Sequence, residues 1–361
     1  SVVWYISKIL NFLKLDNSTV GTIGYYKNGK KINGLTLTTP AYEELFKYAT
    51  SNNKKKTSIF IFEASSHALD QNRLRDYPID IAAITNITRD HIDYHKSGSA
   101  YIKSKLMLFT KHLLHNGHAI INSRIKNIAN LKKKLLKNNV EVIFFGKKDI
   151  FFERFKKDII LNIYNKKYKI KKLKLNSDIE LENLECAISC CLALQIKEKN
   201  IIKALCQITN PPGRIQKINY KKKKSTIIID YAHTPDALER ILKAFQSDGK
   251  KPALLFGCGG NRDKGKRKSM GILANKFASK VYITDDNPRN ESPSIIRKSI
   301  LKHCHKAYEI PSRNKAIKKA IKDLNYRDVL IIAGKGHENV QIIKNKKYNF
   351  DDLKIVKNLI K

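Results

Sequence analysis

Residues 225 to 333 alternate short apolar runs with segments whose apolar residues recur at helical spacing. Apolar runs of roughly four to eight residues are typical of buried strands, and strands that alternate with helices predict a parallel sheet covered by helices. We therefore predict a doubly wound, Rossmann-like α/β domain in this part of the chain. The strand-like runs are STIIIDYA, KPALLFGCG, KVYITDD, AYEI and DVLIIAGKG.

The first half of the chain mixes the same two kinds of segment. A helix-like start, SVVWYISKILNFLKL, precedes the strand-like runs TSIFIFEAS, IDIAAITNI, HAIINS and VEVIFFG and the helix-like YIKSKLMLFTKHLL. This mixture predicts a central parallel sheet wrapped by helices. Residues 150 to 176 alternate apolar and basic residues and predict a small antiparallel excursion.

Two apolar-striped helical segments follow this excursion, and TNPPGR then interrupts all regular structure. We place the domain boundary at this interruption. The prediction is one domain over residues 1–210 and a smaller one over residues 211–361.

The formal net charge is +39, from 71 Lys and Arg against 32 Asp and Glu, which raises the question of nucleic-acid binding. The excess is spread along the whole chain in runs such as KKKLLKNN and YKKKKS, and it accompanies abundant Ile and Asn, which A/T-rich codons encode. We attribute much of the charge to codon composition and do not predict a nucleic-acid partner. The expected consequence is a positive field that attracts anionic substrates.

No apolar run reaches membrane-spanning length, and the start of the chain has no cleavage-site pattern. The six cysteines show no paired spacing typical of a disulfide framework or a zinc site. These features predict a cytoplasmic protein without a membrane partner.

Two strand ends in the first half carry reactive side chains. A Glu or His at a strand end is more often a capping or turn residue, but carboxylates and imidazoles from two strand ends together make a divalent-metal site plausible. Ser66 and His67 are adjacent in sequence, which does not bring them within hydrogen-bonding reach, so we give a serine hydrolase little weight. The side chains are Glu63, Ser65, Ser66, His67, Gln71 and Arg73 after the first strand, and Arg89, Asp90, His91, Asp93 and His95 after the second.

Strand ends in the second half are similarly polar. Asp230 and His233 follow one strand, and the Gly-rich FGCGGNRDKGKR follows the next, with cations that suit phosphate but without the dinucleotide spacing G-x-G-x-x-G. The segment TDDNPRNE could be a surface turn or a ligand site. In AGKGHE a plain turn would need the glycines but not the Lys-His-Glu cluster.

Six motifs, taken together in their order along the chain, closely resemble those of the Mur ligases of bacterial cell-wall synthesis. Within this family the resemblance is to the branch that adds diaminopimelate, and it covers essentially the whole chain. It implies an ATPase-like central domain, a Rossmann-like C-terminal domain and a monomeric, cytoplasmic, amide-forming ligase that depends on ATP and Mg²⁺. The implied partners are small molecules: ATP, a UDP-muramoyl-dipeptide and meso-diaminopimelate. The motifs are EASSHAL, TNITRDHIDYH, DYAHTPDALE, FGCGGNRDKGKR, DDNPRNE and AGKGHE.

The resemblance also assigns roles to individual residues. Glu63 and His91 should hold Mg²⁺, and Lys105 falls where the family has a lysine carboxylated by carbon dioxide; a carbamate can ligate a cation that an ammonium cannot. These three residues are the implied catalytic and metal-binding set. The other implied contacts are Thr38, Thr39, Ser65, Gln71 and Arg73 for the UDP-muramoyl-dipeptide, Asn183, Arg214, Asp230 and His233 for the nucleotide, and Arg262, Asp286, Asn287, Pro288, Arg289, Gly334 and Glu338 for diaminopimelate.

The sequence departs from the family pattern in two places. The Gly-rich phosphate-binding loop and the uridine-binding domain are not in this sequence, so we expect the chain as given to bind ATP poorly and to be inactive. Before Asn183, Ser177 and Glu180 replace the family's Gly and first Asn, which affects the expected adenine contact. Two alternatives are a folylpolyglutamate-synthase-like ligase, disfavoured by DDNPR and ASSHAL, and a non-catalytic basic binding protein derived from this fold.

Overall fold

The computed structural model describes residues 1–51, 58–126, 128–156, 158–175, 177–246 and 249–361. Thr57, the first residue of the strand-like run TSIFIFEAS, lies outside these residues. The chain divides into two compact units, the first formed by residues 1–87 and 94–210 and the second by residues 88–93 and 211–361. In the described part of the chain, no helix combines the length and the apolar character needed to cross a membrane.

The elements of the first part of the chain come in a mixed order. Its helices are α1 (Val2–Phe12), α2 (Tyr42–Thr50), α3 (Ser66–Asp70), α4 (Ile92–His95), α5 (Gly98–Met107), α6 (Ala129–Lys137), α7 (Asp178–Ala193) and α8 (Glu198–Ala204). Its strands are β1 (Asn17–Gly21), β2 (Gly24–Lys27), β3 (Lys30–Asn33), β4 (Ile59–Phe62), β5 (Ile79–Ile84), β6 (Leu113–Asn122), β7 (Glu141–Phe145), β8 (Ile150–Phe155), β9 (Asp158–Ile163) and β10 (Lys166–Ile170).

These strands form two sheets. One has the order β3-β2-β1-β4, with β1 parallel to β4 and antiparallel to β2. The other has the order β10-β9-β8-β7-β6-β5, in which β5, β6 and β7 run parallel and β8, β9 and β10 run antiparallel. The predicted parallel sheet is confirmed for β5, β6 and β7, whereas β4, from the run TSIFIFEAS, lies in the other sheet beside β1. The antiparallel excursion predicted over residues 150 to 176 is confirmed by β8, β9 and β10 among the described residues, and it extends the parallel sheet at one edge.

The helix predicted over YIKSKLMLFTKHLL ends earlier than expected. α5 stops at Met107, a π-helical turn covers Leu108–His112, and Leu113 already belongs to β6, where it pairs with Ile79 of β5. The predicted helix is therefore confirmed over most of the segment, but pairing with a neighbouring strand overrides the helical pattern at its end.

The core of the first unit explains the apolar stripe at the start of the chain. Tyr5, Ile6, Ile9 and Leu10 of α1 are buried in a cluster that also contains apolar residues of α7. Because these positions recur every three or four residues, they lie on one face of the helix. The predicted first helix is thereby confirmed.

The second unit follows the predicted alternation. Its strands are β11 (Gln216–Tyr220), β12 (Ser225–Asp230), β13 (Ala253–Phe256), β14 (Val281–Ile283), β15 (Ala307–Glu309), β16 (Val329–Ala333), β17 (Val340–Ile343) and β18 (Lys346–Asn349). Its helices are α9 (Pro235–Ala244), α10 (Gly265–Phe277), α11 (Pro293–Leu301), α12 (Arg313–Lys322) and α13 (Asp352–Leu359).

The main sheet of this unit has the order β11-β12-β16-β13-β14-β15. All neighbouring pairs are parallel except β11 with β12. Ile227 and Ile229 pack with α12, whereas Ile228 points to the other face and is also fully buried. A sheet covered on both faces is what continuous apolar strands predict, and the carboxyl ends of β12, β13, β14 and β16 meet at one edge.

Candidate active site

Glu63 directly follows β4 and is held by a neighbouring loop. Its carboxylate Oε2 accepts hydrogen bonds from Thr22 N at 3.0 Å and Thr22 Oγ1 at 2.6 Å. A Cβ on Gly21 would lie 2.7 Å from Glu63 Cδ, so a larger residue at position 21 would displace this side chain. Thr38 joins the same group, since its hydroxyl lies 3.3 Å from Thr22 Oγ1.

Four of the residues expected to bind the muramoyl-dipeptide form one hydrogen-bond network. Thr39 Oγ1 donates to the Glu63 carbonyl at 2.6 Å and accepts from Ser65 N at 3.0 Å. Arg73 Nη1 donates to the Thr39 carbonyl at 2.9 Å, and Arg73 Nε donates to Gln71 Oε1 at 2.9 Å. The fold thus brings together Thr39, Ser65, Gln71 and Arg73, which the sequence separates by up to 34 residues.

Lys105 is not a solvated helix lysine. It is half-buried on α5, its ammonium donates to the Asn86 carbonyl at 2.8 Å, and the same Nζ lies 5.1 Å from the centre of the Tyr101 ring. An ammonium in this position cannot ligate a cation, whereas a carbamate on the same nitrogen would present oxygen ligands.

Ser66 contacts a histidine other than the adjacent one. His95 Nε2 lies 3.0 Å from Ser66 Oγ, and the His67 ring centre lies 5.6 Å from that of His95. Both Ser66 and His95 are buried, so this pair is a link within the core of the first unit rather than an exposed nucleophile and base.

Ser177 and Glu180, the two departures near Asn183, form a helix cap. Ser177 Oγ accepts from Glu180 N at 3.3 Å, and Glu180 Oε2 accepts from Ser177 N at 2.8 Å, which is a capping box at the start of α7. Glu180 Oε1 also accepts from Asn210 Nδ2 at 2.5 Å. Asn183 itself donates from Nδ2 to the Ile179 carbonyl of its own helix at 2.9 Å.

In the second unit, Asp230 ends β12 and holds a strained turn. Its Oδ2 accepts from Ile215 N at 2.8 Å and its Oδ1 from Ala232 N at 2.7 Å. Ile215 has a φ of 43°, which is unusual for a β-branched residue and costs on the order of 1 to 3 kcal/mol. The strained residue directly follows Arg214, whose guanidinium carbon lies 4.5 Å from the centre of the Tyr231 ring.

His233 is held in one neutral tautomer. Its Nδ1 lies 2.8 Å from the Tyr231 carbonyl, which can only accept, so Nδ1 carries the proton and Nε2 is the acceptor. Burial, with the positive charge of Lys266 as the next cause, lowers the pKa of His233 to about 4. The imidazole is therefore uncharged at neutral pH.

His91 belongs to the short segment of the second unit that residues 88–93 form. It adopts a φ of 53°, and its Nε2 lies 3.4 Å from Asp90 Oδ2. Glu63 and Lys105 belong to the first unit. Among the residues that the structure describes, no three His, Cys, Asp or Glu side chains gather closely enough to hold a metal ion.

The donor types of the expected metal set suit Mg²⁺ in part. A carboxylate at Glu63 and an imidazole at His91 are plausible ligands, and the hydrogen-bonded ammonium of Lys105 fits only after carboxylation.

The segment after β14 is fastened at several points. Asn287 N donates to Asp286 Oδ1 at 2.7 Å, and Gln341 Nε2 donates to the Asp286 carbonyl at 2.7 Å. The Pro288 carbonyl lies 1.9 Å from where a Cβ on Gly260 would be, so only glycine allows this approach. A bend does follow the strand, but Asp286, Asn287 and Pro288 are buried, so the segment is not a surface turn.

Arg289 combines an unusual backbone with a directed side chain. Its φ is 51°, and its backbone pairs with Ile342 and Lys344 at 3.1 and 2.7 Å. Nη1 donates to the Gly260 and Asn287 carbonyls at 3.0 and 3.3 Å. Within the described ranges, Nη1 is the guanidinium nitrogen that donates to protein, and Nε and Nη2 make no hydrogen bond. Burial and the neighbouring Arg262 lower the pKa of Arg289.

Gly334 and Glu338 come from the end of β16. Gly334 has a φ of 108°, and a Cβ there would lie 2.7 Å from Asp286 Oδ2, so the fold itself requires glycine at this position. Glu338 Oε2 accepts from Asn287 Nδ2 at 2.9 Å. Asp286, Asn287, Arg289, Gly334 and Glu338 are thus neighbours at one edge of the sheet, as expected for ligand-binding residues of an α/β domain.

Three buried arginines that the sequence did not single out as site residues surround this edge. Arg267 Nη2 contacts both oxygens of Glu291 at 2.9 and 3.0 Å, and Arg297 bonds to Asp285 and Glu309. Arg313 Nε and Nη2 bind Asp352 at 2.9 and 2.7 Å, and Nη2 also donates to the Ala333 carbonyl, next to Gly334, at 3.0 Å. These pairs join α10 and α11 to neighbouring loops, α11 also to β15, and α12 to α13.

Comparisons with known proteins agree with this architecture. Residues 1–206 match the family model of the Mur ligase middle domain, and residues 213–336 match that of the Mur ligase, glutamate ligase domain. A curated relative from Rickettsia montanensis, UDP-N-acetylmuramoyl-L-alanyl-D-glutamate–2,6-diaminopimelate ligase, is 40% identical over 100% of this chain and 77% of its own length.

Solved structures give the same result. A structure titled with the same ligase name covers 99% of this chain and 75% of its own, with 28% identity and a TM-score of 0.65. A bifunctional folylpolyglutamate synthase/dihydrofolate synthase from Yersinia pestis covers 93% of this chain and 83% of its own at 15% identity, with a TM-score of 0.71. At that identity the second likeness shows a shared fold alone.

Proposed function

This chain belongs to the Mur ligase family, and from that membership we propose that it joins meso-2,6-diaminopimelate to UDP-N-acetylmuramoyl-L-alanyl-D-glutamate in peptidoglycan synthesis, with ATP as co-substrate. The relatives that carry this ligase name match the whole length of the chain. We also propose that the enzyme works as a monomer in the cytoplasm.

The proposed reaction has two steps. An oxygen of the D-glutamate γ-carboxylate attacks the γ-phosphorus of ATP, and the bond to ADP breaks. The amine nitrogen of diaminopimelate then attacks the acyl carbon, inorganic phosphate leaves with the C–O bonding electrons, and the nitrogen loses a proton. Phosphorylation is needed because a carboxylate by itself is a poor electrophile.

Fixed groups of this chain have separate tasks in the proposal. Thr38, Thr39, Ser65, Gln71 and Arg73 would bind the muramoyl-dipeptide, and Asn183, Arg214, Asp230 and His233 the nucleotide. Glu63, His91 and Lys105, the last as N6-carboxylysine, would hold Mg²⁺, which when bound neutralises charge on the transferring phosphoryl group. These assignments rest on the motif positions, and the network around Glu63 and Thr39 supports the dipeptide set.

The proposed preference for diaminopimelate rests on the geometry of the Arg289 side chain. Its guanidinium is oriented by two backbone carbonyls and keeps Nε and Nη2 available, a geometry suited to bidentate binding of a carboxylate. Diaminopimelate has a second amino-acid end with such a carboxylate, and L-lysine lacks it. Arg262, Asp286, Asn287, Pro288, Gly334 and Glu338 would complete this subsite.

The test uses the protein at its natural length with ATP, Mg²⁺ and UDP-N-acetylmuramoyl-L-alanyl-D-glutamate. We expect release of ADP and a tripeptide product with meso-diaminopimelate, and far slower product formation with L-lysine. Arg289→Ala should raise the KM for diaminopimelate by about 10- to 100-fold, because a charge-assisted hydrogen bond contributes about 1.5 to 3 kcal/mol.

Arg327→Ala is the matched control, since Arg327 is exposed and has a similar φ of 59°. Equal use of L-lysine, or an unchanged KM in Arg289→Ala, would contradict the proposed specificity. Glutamate addition to a folate would instead support the alternative ligase.

A further inference from the structure

We propose that Lys335 is a positioning residue for the amino-acid substrate. Its buried ammonium orients Asn287 and Glu338 so that Glu338 presents one carboxylate oxygen to the amine end of the incoming amino acid. The identity of that amino acid rests on the proposed function.

Lys335 uses all its donors inside the protein. Its side chain is 0% exposed, and Nζ donates to the Val340 carbonyl at 2.6 Å, to Asn287 Oδ1 at 2.9 Å and to Glu338 Oε2 at 3.3 Å. An ammonium has three N–H groups, and three acceptors surround it. Lys335 therefore has no donor left for a ligand and can act only through its neighbours.

The first neighbour is the Asn287 amide. Oδ1 of Asn287 accepts from Lys335 Nζ and also from Ile342 N at 3.0 Å. Since both partners are donors, this atom must be the amide oxygen, and Nδ2 must point the other way. Nδ2 donates to Glu338 Oε2 at 2.9 Å. The ammonium thus determines which way the amide faces.

The second neighbour is the Glu338 carboxylate. Oε2 receives two hydrogen bonds, from Lys335 and Asn287, while Oε1 has no hydrogen-bond partner among the residues that the structure describes. The Glu338 side chain is 27% exposed, whereas that of Lys335 is fully buried. A carboxylate fixed through one oxygen offers the other to an ammonium, and the amine ends of an amino acid are such groups.

Lys335 also joins the chain segments that form this edge. Its Nζ donates to the Val340 carbonyl at the start of β17. Two residues further along that strand, Ile342 N donates to Asn287 Oδ1, and the Ile342 carbonyl accepts from Arg289 N. The Glu338 backbone N donates to the Lys335 carbonyl at 2.9 Å. The carboxylate-binding group at Arg289 and the ammonium-binding group at Glu338 are therefore connected through the same buried lysine.

A buried charge needs partners, so replacing Lys335 will change the protein whichever role the ammonium has. The two roles predict different changes in the kinetic constants. A purely structural role would lower stability and reduce the active fraction, which lowers kcat while leaving each KM unchanged. A positioning role would leave Glu338 and Asn287 free to reorient, which raises the KM for the amino acid alone. The split between the KM values distinguishes the two.

The experiment compares Lys335→Met, which keeps the length of the side chain without donors, with Lys335→Gln, which restores two N–H donors. We expect Lys335→Met to raise the KM for meso-diaminopimelate at least tenfold, with the KM values for ATP and the muramoyl-dipeptide changed less than twofold. Lys335→Gln should recover part of the loss. Lys346→Met, at an exposed lysine of β18, is the matched control and should behave like the wild type.

Calorimetric titration of meso-diaminopimelate into each folded variant provides a readout that does not need turnover. Parallel rises in all three KM values, unchanged binding in both variants, or failure of both variants to fold would overturn the positioning role. A wild-type protein that adds a different amino acid would reject the proposed specificity, and the same KM split for that amino acid would then test Lys335. All variants are made in the protein at its natural length, and a wild type of that length that adds no amino acid overturns both proposals.

Discussion

The imidazole Nε2 of His95 lies 3.0 Å from Ser66 Oγ, and both side chains are buried in the first unit. On the other side of the ring, Nδ1 lies 3.4 Å from Ser104 Oγ, which donates to Asp70 Oδ1 at 3.1 Å. Ser66 is next to Ser65 and Ser104 is next to Lys105, so one histidine connects the two elements that carry these site residues.

We predict that His95→Phe lowers the free energy of unfolding by about 1 to 3 kcal/mol, because the variant keeps an aromatic ring but leaves the Ser66 hydroxyl buried without this partner. Urea denaturation measures the change. His115→Phe, at an exposed histidine, serves as the control and should change the value by less than about 0.5 kcal/mol. Equal effects of the two substitutions would show that the His95 link does not stabilise the fold.

Glu185 gives the protein an expected pH dependence. Its Oε1 accepts from Phe152 N at 2.7 Å, and burial raises the pKa of this carboxyl to about 8. Between the unfolded pKa near 4.5 and the folded value, the folded state binds more protons, so Glu185 makes stability fall as pH rises through this window.

Glu185→Gln removes this titration while keeping an acceptor for Phe152 N. We expect the variant to gain on the order of a few kcal/mol over the wild type at pH 8.5 and little at pH 5. Thermal unfolding across this pH range is the measurement. A pH-independent difference between Glu185→Gln and the wild type would refute the prediction.

Ser177 should stabilise α7 as its N-cap. Ser177→Ala removes the hydroxyl that accepts from Glu180 N, and we expect a loss of about 1 kcal/mol in chemical denaturation. Ser177→Thr keeps a hydroxyl and should cost only a few tenths of that value. If threonine and alanine were equally destabilising, the capping interaction would not be the cause.

The pair Arg313 and Asp352 is fully buried, with both side chains at 0% exposure. We expect Arg313→Met or Asp352→Leu alone to cost about 3 to 5 kcal/mol, because each leaves a buried charge without its partner. The variant that combines these two changes should cost less than the sum of the single changes. A double-mutant cycle by denaturant unfolding measures the coupling.

The exposed pair Arg75 and Glu43, at 57% and 66% side-chain exposure, is the comparison. Its coupling should be at most about 1 kcal/mol. Additive losses at Arg313 and Asp352 would contradict the assignment of a coupled buried pair.

The regular elements were predictable where the apolar pattern was long and clear. The runs that became β12, β13, β14 and β16 contain consecutive buried residues, which is how strands of a two-sided parallel sheet read in sequence. The meander β1 to β3 was missed because buried Asn17, Ser18 and Thr19 give β1 no apolar signal. The hairpin of β17 and β18 was missed because its second strand is charged and exposed.

The sequence by itself determined the family, the alternation of strands and helices, and the strand ends that carry reactive residues, because these depend on local composition and on motif order. Only the tertiary structure revealed that Lys335 donates a hydrogen bond to Asn287 across 48 positions, that Arg313 pairs with Asp352 across 39, and that Ser66 contacts His95 rather than His67. Such contacts depend on which segments the packed sheets bring together, and hydrogen bonds between distant side chains leave no periodic trace in the sequence.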